Sequence, residues 1–279
     1  MNSKTVILLL VSALGISNCS SIGFKNKYYI DGRDIKIHNR LVCDQGITNE
    51  ICELRLYQVM VEAFIDGDPN ADWNAGYGTS LHKGDLQGII DSLQYIKSLG
   101  MNGIWLTPVF DSPGRWVDLH ATGYFASNMF DIDHRFGDKD KLKELVDKAH
   151  SLGIYVFFDG VLGRAEKNTV PSPNGRKPSG TSPAIYPDDL EYFKELARFW
   201  ITEYKIDGWR MDQAYLVPVE YWKDIRLAIE DASRSTTYTD MHGNTVHPLG
   251  YMFGEFTLTP EEIADFAYGP ADNPSFLSA

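Results

Sequence analysis

Apolar residues along the chain recur with two alternating periods, which predict strands and helices in turn. Short runs rich in β-branched and aromatic residues predict buried strands, and apolar residues spaced three and four apart predict helices. The predicted strands are 54–61, 103–107, 154–159, 206–212 and 251–254. The predicted helices are 86–99, 139–152, 190–204, 219–232 and 260–268, and Gly100 and Gly153 are expected to stop the first two.

This alternation is typical of a parallel α/β sheet, which is either doubly wound or closed into an eight-stranded barrel. No Gly-x-Gly-x-x-Gly turn follows the first predicted strand, which disfavours a nucleotide-binding doubly wound sheet. Acidic residues at successive strand ends favour the barrel. Because a barrel closes with eight strands and five are predicted, we expect a partial (β/α)8 barrel over residues 54–279 in a C-terminally truncated chain.

Composition narrows the class of partner. The 279 residues are 43% hydrophobic and 13% aromatic, enough for a sizeable core. The formal net charge of −12 argues against a nucleic-acid partner, which calls for a basic surface.

The first residues predict export. Residues 1–18 have the layout of a secretory signal, since a weakly positive start precedes an apolar run too short to span a bilayer. Cys19 follows, as in a bacterial lipoprotein, so we expect a lipid anchor at Cys19 as the sole contact with a membrane. Asn18 is unusual before such a cysteine, and a plain cleaved signal or a retained anchor helix are the alternatives. Residues 19–53 are predicted to be an irregular lead-in.

Two further cysteines, Cys43 and Cys52, lie close together in the lead-in. An even pair in an exported chain predicts a disulfide, and two unpaired buried thiols are the alternative.

Candidate chemistry lies at the ends of the last two predicted strands. Arg210 and Asp212 are two residues apart, so strand alternation places them on one face. Glu255 ends the next strand and brings a second carboxyl group to the same rim. A facing pair of carboxyl groups is what a glycosidase uses, one to attack the anomeric carbon and one to protonate the leaving oxygen. A structural salt bridge between Arg210 and Asp212 is the alternative.

Six ordered motifs then suggest a family. They are Leu-Tyr-Gln-Val at 56–59, Gly-Ile-Trp-Leu-Thr-Pro at 103–108, Gly-Tyr at 123–124 with Asp-Ile-Asp at 131–133, Asp-Gly-Val-Leu-Gly-Arg at 159–164, Gly-Trp-Arg-Met-Asp at 208–212 and Gly-Glu at 254–255. In this series the chain resembles the α-amylase family, glycoside hydrolase family 13, whose members have a (β/α)8 barrel. The resemblance implies a very short insertion after the third barrel strand.

The resemblance also implies a role for each site residue. Asp212 is expected to be the nucleophile and Glu255 the general acid/base. Arg210 would keep Asp212 ionised and oriented, and would lower its pKa, whereas the pKa of Glu255 would be raised so that it holds a proton.

Arg210 and three further residues are assigned to substrate binding by the same resemblance. Tyr124 would stack under the sugar, and Asp159 and Arg164 follow the third strand. The alternatives are a core aromatic for Tyr124 and a loop cap for Asp159.

The motif after the third strand departs from the family. Gly163 replaces an Asn that usually supports calcium, so we expect no metal and no other cofactor, and a calcium ion held without this ligand is the alternative. Arg164 replaces a His that donates to a sugar hydroxyl, and a fixed positive charge there would lie near the sugar and Asp212. Alternatively, Arg164 turns outward and pairs with Glu166 or Asp188.

A second departure concerns a third carboxylate, which the family carries in a His-Asp pair at its seventh strand. No such pair follows Glu255 in this sequence, which predicts impaired activity.

These features predict a retaining glycoside hydrolase acting on α-glucosidic bonds of starch-like or maltodextrin-like glucans. The alternatives are a non-catalytic glucan-binding lipoprotein and an inactive fragment of an interrupted gene.

Overall fold

The computed structural model describes residues 29–30, 33–34, 53–73, 82–113, 118–165 and 170–257. Its strands are β1 (Tyr29–Ile30), β2 (Arg33–Asp34), β3 (Leu56–Val59), β4 (Gly103–Leu106), β5 (Phe110–Asp111), β6 (Asn128–Ile132), β7 (Tyr155–Gly160), β8 (Gly208–Met211), β9 (Tyr238–Thr239), β10 (Thr245–Val246) and β11 (Tyr251–Gly254). Its α-helices are α1 (Leu86–Ser98), α2 (Lys139–Ser151), α3 (Leu190–Tyr204) and α4 (Val219–Ser235).

Several sequence predictions concern residues outside the described ranges. These are the signal at 1–18, lipidation of Cys19, the disulfide between Cys43 and Cys52, and the helix at 260–268. They stay predictions.

The topology of the main sheet distinguishes the barrel from the doubly wound alternative. Five strands pair in the order β3-β4-β7-β8-β11, and every pair is parallel. The order in space is therefore the order along the chain. A doubly wound sheet reverses its strand order at a switch point, and this sheet does not. Helices α1, α2, α3 and α4 connect the successive strands, which is the repeat of a (β/α)8 barrel.

The helix ends follow from local sequence signals. The side chain of Asp85 accepts a hydrogen bond from the Gly88 N–H at 2.7 Å and caps α1. Asp138 caps α2 in the same way, accepting from the Lys141 N–H at 2.8 Å. Gly100 and Gly153 follow these helices with φ of +82° and +68°, a conformation that favours glycine and stops a helix. Both predicted stops are confirmed.

Three short antiparallel strand pairs were not predicted from the spacing of apolar residues. β5 pairs with β6 in the segment predicted as a loop, and β9 pairs with β10 between α4 and β11. β1 pairs with β2 within the predicted lead-in, whose assignment as residues 19–53 stays a prediction. Asp31-Gly32 lies between β1 and β2 in the sequence, and Asp-Gly is a turn signal for a two-residue hairpin.

An aromatic cluster fixes α3 against the sheet. The rings of Phe110 and Phe158 are buried and lie 5.9 Å apart between centroids, and each lies 5.5–6.5 Å from the buried rings of Trp200 and Trp209. Trp209 also donates its indole N–H to the Ala197 carbonyl of α3 at 3.2 Å. Because strand residues alternate between faces, packing Trp209 against α3 turns the neighbouring Arg210 to the opposite side of the sheet. No helix within the described ranges combines the length and apolar character that crossing a bilayer requires.

Candidate active site

Three neighbouring strands bring the candidate residues to one rim. Asp159 lies near the end of β7, and Arg210 is its direct partner on β8. Asp212 and Glu255 each follow the last residue of their strands, β8 and β11, which end level with each other at Met211 and Gly254. Parallel pairing thus places carboxyl groups from successive strands beside one guanidinium group.

Arg210 contacts all three carboxyl groups. Its Nη1 lies 2.8 Å from both oxygens of Asp159 and 3.0 Å from Asp212 Oδ1. Its Nη2 lies 2.8 Å from Glu255 Oε2. The predicted proximity of Arg210 and Asp212 is therefore observed, but the ion pair extends further than an isolated salt bridge. The arrangement suits an orienting role for Arg210 better than direct contact with a sugar.

Asp159 is fully buried and serves as the anchor for Arg210. It also accepts hydrogen bonds from the Tyr124 hydroxyl at 2.9 Å and from the Trp105 indole N–H at 3.2 Å. Tyr124 is presented by Gly123, where a Cβ would lie 1.8 Å from the Pro108 carbonyl oxygen. Asp159 thus receives four hydrogen bonds from three side chains, Arg210, Tyr124 and Trp105, which is more than a loop cap.

Arg164 faces the candidate site. Its Nη2 lies 3.2 Å from Asp212 Oδ2, and its Cζ lies 5.5 Å from the ring centroid of Phe125. Arg164 therefore does not turn outward to pair with Asp188, as the alternative had it. The other partner in that alternative, Glu166, is outside the described residues. The two oxygens of Asp212 are thus each bound by a different arginine, since Arg210 holds Oδ1.

The expected directions of the two pKa shifts are reversed in this conformation. Burial raises the pKa of Asp212 above its ordinary value, although the charges of Arg210 and Arg164 oppose the shift. Partial burial also acts to raise the pKa of Glu255, but the Gln213 N–H, 3.1 Å from Oε2, and Arg210 together hold that pKa below its ordinary value. The expectation was wrong because it ignored how far Asp212 is buried and that Glu255 binds Arg210 as well.

The chain is similar in sequence and fold to known proteins. A model of the alpha amylase catalytic domain matches residues 58–169. A crystal structure of AmyP in complex with maltose superimposes with a TM-score of 0.77 at 55% identity, covering 80% of this chain and 46% of that one. The chain is a member of the α-amylase family.

Other members are similar over smaller shares of their length. An AmyP variant in complex with maltotriose is 53% identical, with a TM-score of 0.79, over 84% of this chain and 49% of its own. The cyclomaltodextrinase of Geobacillus thermopakistaniensis is 32% identical over 215 residues, 62% of this chain and 36% of the enzyme. Neopullulanase 2 of Thermoactinomyces vulgaris is 30% identical over 64% of this chain and 37% of its own. The chain thus spans about half of the AmyP chains and little more than a third of these two curated relatives.

The calcium ligand usual in the α-amylase family does not fit this chain. Gly163 offers no side-chain oxygen, and a Cβ at this position would lie 2.5 Å from Leu216 Cβ. An Asn at residue 163 would therefore overlap the short 3-10 helix Ala214–Leu216. Leu216 takes the volume that such a ligand needs.

Among the described residues, one cluster of acidic and imidazole side chains is spaced closely enough to hold a metal ion. Asp111, Asp133 and His134 have ligand atoms within 4.8 Å of one another. Asp133 is already engaged, because Arg135 Nε binds its Oδ1 at 2.6 Å and the Ser112 N–H binds its Oδ2 at 3.1 Å. The sequence prediction of no metal stays a prediction.

Trp105 is the site residue that sequence reasoning missed. It lies within the Gly-Ile-Trp-Leu-Thr-Pro motif at 103–108, which predicted a barrel strand but no site residue. Its indole N–H reaches Asp159, and the Arg210 Cζ lies 4.9 Å from its ring centroid. Phe253 packs edge-to-face on it with centroids 5.9 Å apart. The available signal was a Trp inside a barrel strand, since a buried indole N–H needs an acceptor.

Proposed function

We propose that the chain is a retaining glycoside hydrolase acting on α-glucosidic bonds of starch-like or maltodextrin-like glucans. The observation that carries the proposal is the bridge from Arg210 Nη1 to Asp212 and from Arg210 Nη2 to Glu255. It brings two carboxyl groups on adjacent strand ends to one point of the rim. AmyP binds maltose and maltotriose in its crystal structures, which supports an α-glucan as the ligand.

In the proposed reaction, an oxygen of the Asp212 carboxylate attacks the anomeric carbon as the glycosidic bond breaks. Glu255 gives its proton to the departing oxygen, and a covalent glycosyl ester of Asp212 forms. Glu255, now a carboxylate, then takes a proton from water, whose oxygen attacks the anomeric carbon and frees Asp212. The anomeric configuration is inverted twice and therefore retained.

Glu255 has to leave Arg210 before it can act as an acid. Its side chain is 39% exposed, so it has room to move, whereas Asp212 is almost buried. A sugar between the two carboxyl groups would separate Glu255 from Arg210 and reduce its contact with water. Both changes raise the pKa of a carboxyl group, which is the direction that a general acid needs.

The proposal is tested by Asp212→Asn, which keeps the shape of the side chain and removes the attacking charge. We expect release of reducing sugar from maltoheptaose to fall by at least about a thousandfold, about 4 kcal/mol in activation free energy. Binding of maltotriose, measured by calorimetry, should change little. Asp188→Asn, at an exposed position, is the control.

Two outcomes would contradict the assignment. One is activity of Asp212→Asn within about tenfold of the unmodified chain, about 1.4 kcal/mol. The other is a first product with inverted anomeric configuration, which NMR of fresh hydrolysate detects.

A second candidate function is glucan binding without cleavage. It is favoured by the ion pair between Glu255 and Arg210, because Arg210 lowers the pKa of Glu255 and so disfavours the proton that a general acid needs. Maltotriose binding by the unmodified chain without any turnover of maltoheptaose would support it.

A further inference from the structure

Both oxygens of the Asp212 carboxylate are held by arginine. Arg210 Nη1 binds Oδ1 at 3.0 Å and Arg164 Nη2 binds Oδ2 at 3.2 Å. The two arginines come from different parts of the chain, Arg210 from β8 itself and Arg164 from the connection between β7 and α3. A carboxylate bound on each oxygen by a separate guanidinium group is restricted in rotation about its side-chain bonds.

The backbone on either side of Arg164 is fixed. The Leu162 carbonyl accepts from the Tyr186 hydroxyl at 3.0 Å, and the Gly163 carbonyl accepts from the Ala184 N–H at 2.9 Å. The Ala165 N–H donates to the Thr181 carbonyl at 2.8 Å. Gly163 lies directly against Leu216, so the turn that precedes Arg164 has no space for a larger residue. The guanidinium group therefore extends from a backbone with little freedom to shift.

We propose that Arg164 is a positioning residue for the nucleophile, holding the Asp212 carboxylate ionised and in a single orientation. The inference rests on the proposed function and assigns Arg164 to the enzyme's own carboxylate rather than to the sugar. An arginine does this at every working pH, because its side chain stays charged where a histidine would lose its proton.

Arg164 is expected to change how the reaction rate depends on pH, because its charge supports ionisation of Asp212. Burial works against the ionised form of Asp212, and the charges of Arg210 and Arg164 support it. The other charged or titratable groups around Asp212 are Glu255 after β11, Asp159 on β7 and Tyr124 beside Asp159. Of the groups facing Asp212, only the two arginines carry positive charge within the described residues. The positive charge of Arg164 also disfavours an oxocarbenium-like transition state. Removing it therefore raises the plateau rate through the transition state and lowers it through a less well oriented Asp212.

The test is the pH profile of kcat/KM for maltoheptaose, whose acid limb reports ionisation of the nucleophile in the free enzyme. Arg164→Gln should move that limb to higher pH by about one unit or more, since a nearby opposite charge lowers a carboxyl pKa by about that much. In Arg164→Lys the acid limb should lie close to that of the unmodified chain. A single hydrogen bond to Asp212 depends on the positive charge more than on the planar shape of the guanidinium group. Arg176→Gln is the matched control, since Arg176 is half-exposed and pairs with Glu195 at 3.5 Å.

An unmoved acid limb in Arg164→Gln, or a loss of activity that is equal at every pH, would overturn the proposal. A shift of the same size in Arg176→Gln would also overturn it.

A second measurement separates this inference from the proposed function. Thermal melts at pH 7 form a double-mutant cycle of Arg164→Gln and Asp212→Asn, and need no turnover. Arg164→Gln should lower Tm by about 2–4 °C more in the unmodified chain than in the Asp212→Asn chain. Additive changes would show that the ion pair is not made, and overturn the inference directly. The cycle can show the expected difference while the unmodified chain turns over no glucan. In that case the ion pair is made, but the proposed function is wrong, and the positioning role is wrong with it.

Discussion

Asp159 is the most deeply buried carboxyl group of the rim, and its surroundings make its ionisation costly. Burial raises the pKa of Asp159 to about 7, although the charge and hydrogen bonds of Arg210 oppose the shift. In the unfolded chain the same group has an ordinary pKa near 4, so the folded chain binds its proton over a wider range of pH. Stability gained from this group is present at low pH and is lost as the pH rises.

We therefore expect Asp159→Asn to change the pH dependence of stability. The free energy of unfolding of the unmodified chain, minus that of Asp159→Asn, should fall as the pH rises from about 4 to about 7, with a slope that approaches about 1.4 kcal/mol per pH unit. Urea unfolding at several pH values measures it, and Asp188→Asn serves as the exposed control. A difference that is constant or that rises over this range would show that Asp159 is ionised throughout.

At the scale of elements, the approach of β8 to β11 depends on Gly208. This residue begins β8 with φ of +156°, and a Cβ would lie 1.8 Å from the Tyr251 carbonyl oxygen and 2.9 Å from Phe157 Cε1. The contact with Tyr251 involves backbone, which cannot rotate away. Since Asp212 and Glu255 follow these two strands, their separation depends on this close approach.

Gly208→Ala should destabilise the chain by at least about 3 kcal/mol, because strand backbone must shift to admit a methyl group. Gly243→Ala is the control. Gly243 also has a positive φ, +82°, but has open space around it, so its cost should be about 1 kcal/mol for the backbone conformation alone. Denaturant melts compare the two. Equal losses would mean that the close approach to Tyr251 contributes nothing.

At the scale of the whole molecule, the parallel sheet has two outer strands, β3 and β11. Within the described ranges each of them pairs with one neighbour in that sheet, β4 or β8 respectively. An outer strand presents unpaired backbone groups and apolar side chains, which favours association with other chains.

The isolated 279-residue chain is accordingly expected to bind the dye ANS and to associate with itself as its concentration rises. ANS fluorescence and light scattering measure the two properties over a range of chain concentrations. A chain that stays monodisperse and binds no dye would contradict this expectation.

Local sequence patterns were sufficient to predict the alternation of strands and helices and the face on which Arg210 and Asp212 lie. α1, α2, α3 and α4 begin at the predicted residues, and β11 has the predicted bounds, because capping residues, glycine stops and apolar spacing act within a few residues of chain. The five predicted parallel strands are present, although β8 is shorter than predicted and ends at Met211, just before Asp212.

The pairing of the side chains at the rim depends on tertiary contacts and could not be predicted from local patterns. The tertiary structure turned Arg164 to Asp212, set Trp105 against Asp159 and placed Leu216 against Gly163. It also reversed the expected directions of the pKa shifts of Asp212 and Glu255, because burial and the position of Arg210 arise from strands far apart in the chain. Local patterns specify elements through contacts between near neighbours, whereas charge pairing and desolvation depend on register and packing that no single segment contains.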